Sequence, residues 1–262
     1  MTVLAHRLER TIVIHATPQT VFRFFTDSTR WAAWWGKGST IDPREGGAVR
    51  IRHPDGTEVA GTVLGLDVPK QLIFTYGFVS GTPIAVGSSR VTINLEKHDA
   101  GTRLSLIHEF ADTPVRDEHV QGWRYQLALF SNLVSDEVTA DAGTQVDGWF
   151  SAWAEPDDEA RLRALTAIAD SAVAFRDRFG HTEGIADLMP QISAAQRFMP
   201  GIRLQRRGAI RQCQGTALAD WVAVTADGQE RGSGTNVFTF DSAGRITSVT
   251  GFWAPQPAGG RA

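Results

Sequence analysis

Two residues in the second half of the chain have the types and spacing for proton transfer. Asp177 follows the apolar run Val173-Ala174-Phe175, and His181 lies four residues further on. A carboxylate withdrawn from water holds its proton more tightly and can act as a base near neutral pH. The same pair also suits a turn and a helix start, since Asp-x-x-Gly is turn chemistry and His-Thr-Glu fits a first helical turn. Both readings stay open, so Asp177 and His181 are weak catalytic candidates and no catalytic residue is assigned. Trp221 and Asn236 fall on strand-like segments. Asn236 shares a face with Phe238 and Phe240, which would make it a polar group in an aromatic wall.

The first half offers binding rather than catalytic chemistry. His108 points to the same side as Leu106 and Phe110. On that side it is either a polar anchor in an apolar pocket or a hydrogen-bonded core histidine. Tyr76 and Trp123 are similar cases. The stretch "RWAAWWGKG" places Trp31, Trp34 and Trp35 at i, i+3 and i+4, ahead of Gly36-Lys37-Gly38. Such rings either plug a sheet edge or stack on a flat ligand at a pocket mouth, and different rings can do each.

Several classes of chemistry lack their residues. There is no Gly-x-Ser-x-Gly elbow, and "GKGS" at 36–39 lacks the upstream glycine of a phosphate loop. "HEFAD" at 108–112 has no second histidine, so no metal site is expected and no cofactor is implied. Cys213 is the only cysteine, which excludes an internal disulfide. Net charge is −3, and the arginines of "RLQRRGAIR" have no interleaved aromatics, so no nucleic-acid partner is expected. No apolar run of about 18 residues exists to span a membrane. The first residues, "MTVLAHRLERTIVIHA", carry charges inside their apolar run, unlike a signal peptide, so a reducing cytoplasm is the expected compartment.

These residues need elements to position them. The periodicity predicts a strand at about 8–15, then a helix from "TPQTVFRFFTD", with Thr17 as cap and Pro18 in the first turn. Strands and hairpins fill 38–111. A long helix follows at about 116–138, with an apolar stripe of Val120, Trp123, Leu127, Phe130 and Val134. A second unit begins near 141. It reads as a helix carrying Trp149 and Trp153, a helix from "EPDDEARLRALTAIAD", and a short strand "AVAFRD". A helix opened by His181 and broken or kinked at Pro190 comes next, and four final strands close the chain. The expected domains are 1–140 and 141–262, both α+β.

The first 140 residues resemble the activator of heat-shock-protein-90 ATPase-like branch of the SRPBCC, or START-like, superfamily. The matching pieces are "ATPQTVFRFFTD", the Trp34-Trp35 pair, "DPREGG", "GTVLGLDVPKQLIFTY", "TRLSLIHEF" and "GWRYQLALFSNL", in the family's order. The resemblance implies a helix-grip fold, an antiparallel sheet wrapped on a long C-terminal helix around a hydrophobic cavity. Residues from about 142 to 255 resemble the SnoaL-like branch of the nuclear-transport-factor-2-like superfamily, through "WFSAWAEPDDEARLRAL", "GHTEGIADL", "GTNVFTF" and "GRITSVTGFW". That resemblance implies an α+β cone with a pocket, and by analogy a homodimer.

Three readings follow. The first is a cytoplasmic two-domain protein that binds small apolar or aromatic molecules, with Trp34, Trp35, Tyr76, His108, Trp123, Trp221 and Asn236 as ligand-binding candidates. The second is an enzyme of the polyketide cyclase, isomerase or dehydratase type acting in the C-terminal cone. The third is a co-chaperone-like ATPase activator, suggested by the family name alone. The activator that gives the family its name carries a separate N-terminal domain, without counterpart in this sequence.

Overall fold

The computed structural model describes residues 3–255. Its chain divides into two compact units, Met1–Val138 and Thr139–Ala262.

In the first unit, β1 (His6–Ile14) leads into α1 (Pro18–Arg23). Thr17 caps this helix by accepting the N–H of Thr20, and Pro18 occupies a first-turn position where no N–H is needed. Asp27 caps α2 (Ser28–Trp35) in the same way through the N–H of Arg30. Gly36 ends α2 at φ +138°, a backbone conformation in which a Cβ would run into the Arg52 carbonyl. Then come β2 (Thr40–Ile41), β3 (Ala48–Arg52), β4 (Glu58–Asp67), β5 (Gln71–Tyr76), β6 (Ser89–His98) and β7 (Gly101–Phe110). They form one sheet in the order β1-β7-β6-β5-β4-β3-β2, antiparallel at every pairing.

The helix α3 (Thr113–Val138) buries Trp123, Leu127, Phe130 and Val134, with Val120 half-buried. Aromatic rings fill the space between α3 and the sheet. Phe25 stacks on Phe130 with centroids 5.0 Å apart, Trp34 lies 4.9 Å from Phe130, and Trp31 lies 6.0 Å from Phe74. The free space is left at one end, as a cleft described below.

The second unit begins with α4 (Ala142–Ala154) and α5 (Asp158–Ile168), the latter capped by Asp157. The chain passes straight from α5 into β8 (Ala169–Asp177), three residues earlier than the sequence suggests. "HTEG" is not a helix start. His181 lies on β9 (Gly180–Glu183), which pairs antiparallel with β8. The cause is local: Asp177 Oδ1 accepts the N–H groups of both Phe179 and Gly180 and turns the chain back on itself. Only after Gly184, at φ +83°, does α6 (Ile185–Phe198) begin, and it runs unbroken through Pro190.

The remaining strands are β10 (Arg203–Cys213), β11 (Thr216–Val224), β12 (Glu230–Phe240) and β13 (Ile246–Trp253). The sheet order is β10-β11-β12-β13-β8-β9, and the β13–β8 pairing is parallel. Trp149, Phe150, Leu188, Ile192, Phe238 and Val249 form the core of this unit. Three of the four arginines of β10 are paired, Arg206 with Asp147, Arg207 with Glu230 and Arg211 with Asp220, so this strand is a largely neutralised, solvated face.

Candidate functional site

The second unit holds a cavity of about 490 Å³ among α4, α6 and the sheet. Its walls are aromatic because the strand alternation of β11 to β13 and the helical spacing of Trp149 and Trp153 send large rings to the same side. Trp221 and Trp253 meet edge to face at 4.8 Å, Trp153 lies 5.0 Å from Phe175, and Phe179 lies 5.2 Å from Trp253. Two rings at the rim stand in solvent, Phe198 (85% exposed) and Phe179 (63% exposed). These rings put apolar surface at the rim of an apolar cavity.

Polar groups converge on this cavity. Asn236, on β12, accepts the Trp221 Nε1–H at 2.8 Å, and both residues are buried. Asp177, at the end of β8, accepts two backbone N–H groups on Oδ1 and the Trp253 Nε1–H on Oδ2 at 3.3 Å. Gln191 of α6 also lines the space. Asp177, Trp221 and Asn236 are therefore brought together. His181 is not: its exposed side chain lies 4.0 Å from the Glu183 carboxylate, and it does not line the cavity. A carboxylate faces the cavity without the histidine that the sequence set beside it, because strand alternation sends neighbouring residues of a hairpin to opposite faces.

The first unit has a cleft of about 550 Å³ lined by Trp35, Tyr76, Trp123, His53, His119 and Gln126, among others. Trp34 does not reach it. Its ring is 1% exposed, and Gln126 donates to its backbone carbonyl. Trp31 is likewise core, donating from Nε1 to the Arg50 carbonyl at 3.2 Å. Of the three clustered rings, only Trp35 faces the cleft.

His108 lies behind the cleft wall with no exposed surface and hydrogen bonds on both ring nitrogens. Burial holds it well below the ordinary histidine range, with nearby His119 adding to the effect. Burial also lowers His119 and His53, the latter against an opposing pull from Asp55. Tyr76 is pushed up by burial, so its hydroxyl keeps its proton as a donor.

The sequence did not single out Trp153, Phe179, Phe198, Gln191 or Trp253 in the cavity, or His53, His119 and Gln126 in the cleft. Trp153 and Trp253 carried a signal, as large rings on an amphipathic helix and a strand. The others became visible only when distant segments met. Among the described residues, no group of three or more His, Cys, Asp or Glu is placed to hold a metal ion. Among them too, no helix is long and apolar enough to cross a membrane.

Two α+β units, each with a sheet backing an aromatic-lined recess, define the class of protein. Within the N-terminal one, residues 15–135 match the family model described as activator of Hsp90 ATPase homolog 1-like protein. No curated protein matches the chain. Among solved structures, a SnoaL-like family protein of Agrobacterium tumefaciens is 26% identical, covering 43% of this chain and 96% of its own, with a TM-score of 0.41. Protein CV1439 of Chromobacterium violaceum is also 26% identical, covering 49% of this chain and 96% of its own, with a TM-score of 0.41. Protein MLL2253 of Mesorhizobium loti is 20% identical, covering 50% and 98%, with a TM-score of 0.44.

Proposed function

We propose that the protein binds a small, largely apolar ring-bearing molecule, and that the cavity of the second unit is its principal site. The observation that carries this reading is the pairing of aromatic walls with a few convergent polar groups, Asp177 and Asn236, in a space of drug-like size. The cleft beside Trp35 and Trp123 is a second, more open site, in keeping with a helix-grip unit whose middle is filled by its own rings. We take the two units to fold independently, dividing close to residue 140. The test is tryptophan fluorescence titration of the full chain with flat aromatic probes, repeated on Ala195→Trp, which puts an indole into the α6 wall of the cavity. Saturable quenching by the parent and at least a tenfold loss of affinity in the variant support the reading. Unchanged affinity in a folded variant contradicts it.

A second reading, an enzyme of the cyclase, isomerase or dehydratase type, is favoured by one observation: the Asp177 carboxylate lies in a mostly apolar cavity. It lacks the His181 partner expected from the sequence, so Asp177 would act alone as proton acceptor. Turnover of an enolisable aromatic ketone that disappears in Asp177→Asn would favour this reading over simple binding. A co-chaperone role rests on the name of the matched family, and no feature of the cavity or the cleft speaks for it.

A further inference from the structure

Two polar groups in the cavity of the second unit have committed one side and left the other open. A tryptophan Nε1–H is a donor only, so the Trp221 bond takes the Asn236 amide oxygen and turns the amide nitrogen away from it. That Nδ2 has no hydrogen-bond partner among the described residues, although Asn236 is 6% exposed and lines the cavity. A donor that borders a cavity with no protein acceptor on it is free to serve an acceptor that enters.

Asp177 is the complement. Its Oδ1 is occupied by the N–H groups of Phe179 at 2.8 Å and Gly180 at 3.0 Å, while Oδ2 receives only the long bond from Trp253. A carboxylate oxygen in that position has room for another donor. Gly251 lies between the two groups. A Cβ there would stand 3.2 Å from Asn236 Oδ1 and 3.2 Å from Asp177 Cβ. With no side chain at 251, an amide donor and a carboxylate acceptor border the same patch of an otherwise aromatic space.

We propose that this cavity selects a neutral, planar ring system whose edge carries a hydrogen-bond donor beside an acceptor, the pattern of a carboxamide or lactam. The ligand N–H goes to Asp177 Oδ2, and its carbonyl accepts from Asn236 Nδ2. The inference rests on the reading of the cavity as a ligand site. A carboxylate ligand of the same shape brings like charge against Asp177. An ester offers Asp177 no donor. A bare hydrocarbon removes water from both groups and satisfies neither.

The test uses four probes of one shape on the full chain: naphthalene, 2-naphthamide, methyl 2-naphthoate and 2-naphthoate, titrated by tryptophan fluorescence at pH 7.5. We expect the amide to bind at least tenfold more tightly than the ester, and the carboxylate to bind weakest. In Asp177→Asn, 2-naphthoate gains at least tenfold relative to the amide. In Asn236→Leu, the amide falls to within threefold of naphthalene. Should Asp177→Asn fail to fold, the Asn236→Leu contrast decides. If amide, ester and carboxylate bind the parent within threefold of one another, the inference is overturned while the cavity reading stands. An amide preference that survives in Asn236→Leu also overturns it. If none of the four binds, naphthalene included, both fail.

Discussion

The indole Nε1–H of Trp123 donates to Nδ1 of His108 at 2.9 Å, and this bond fixes the tautomer of a histidine with no exposed surface. The proton must sit on Nε2, which lies 2.8 Å from Ser89 Oγ, and the Ser89 hydroxyl in turn donates to the Tyr76 carbonyl at 2.9 Å. A ring on the cleft wall is thus tied through His108 to the backbone of β5. Every member of the chain has a partner, which is what makes a buried polar network rigid rather than costly.

A pH dependence follows. In the folded chain His108 stays neutral well below the usual histidine range, whereas in the unfolded chain it takes up a proton near its ordinary value, about 6.5. Below that value the unfolded state binds more protons, so stability falls as the pH drops from about 6.5 toward the lowered folded value. His119 and His53 act in the same direction. Urea unfolding at pH 7.5 and pH 5.0 should show a loss in the parent and a smaller loss in His108→Gln, whose amide can replace both ring bonds without titrating. An identical loss in the variant would remove His108 from the account.

The clustered tryptophans should separate by function. Trp34 is packed against Phe25, Trp31, Trp35 and Phe130, so Trp34→Ala should cost roughly 3–5 kcal/mol. Trp35→Phe keeps a ring in place and should cost less, while weakening any aromatic probe that enters the cleft. A loss below about 1 kcal/mol for Trp34→Ala, in the range of surface changes, would show that its ring is not core.

Arg161 is 1% exposed and ties α5 to α6 and to the turn before it. It donates to the Glu155 carbonyl, Gln196 and Ser193, and pairs with Asp158, whose own side chain is exposed. Gln196 lines the cavity, so this arginine holds part of the cavity wall. Arg161→Ala removes a buried guanidinium from three half-buried acceptors at once and should destabilise by about 2–4 kcal/mol. Arg163→Ala, on an exposed position of the same helix, should stay within about 0.5 kcal/mol. Thermal melts of the two variants make the comparison.

How far the sequence could be read depended on whether its signals were local. The stripe from Val120 to Val134, the cap at Thr17 and the hairpins were legible because short-range periodicity and turn chemistry fix them. His181 was misplaced because "HTEG" suits a helix start as well as a strand. The choice was made by pairing with β8, and by Asp177 folding the chain into that pairing. The parallel β13–β8 contact joins segments some 70 residues apart and leaves no local mark. Trp34 and Trp35 are adjacent and chemically identical, yet one is core and one faces the cleft. Only the position of α3 and the β3–β4 turn distinguishes them. Asn236 was legible as a polar group in an aromatic wall. Its partner Asp177 was found for its chemistry, but their meeting across Gly251 depends on strand register.

The central claim, that the second unit's cavity is the ligand site, is tested most directly by the eight tryptophan indole N–H resonances of the ¹⁵N-labelled full chain. During titration with 2-naphthamide, the account predicts that the signals of Trp153, Trp221 and Trp253, assigned through single Trp→Phe variants, move together and saturate. The signals of Trp31 and Trp34 should stay fixed. Movement confined to the tryptophans of the first unit, or no saturable movement at Trp221 and Trp253, would contradict it.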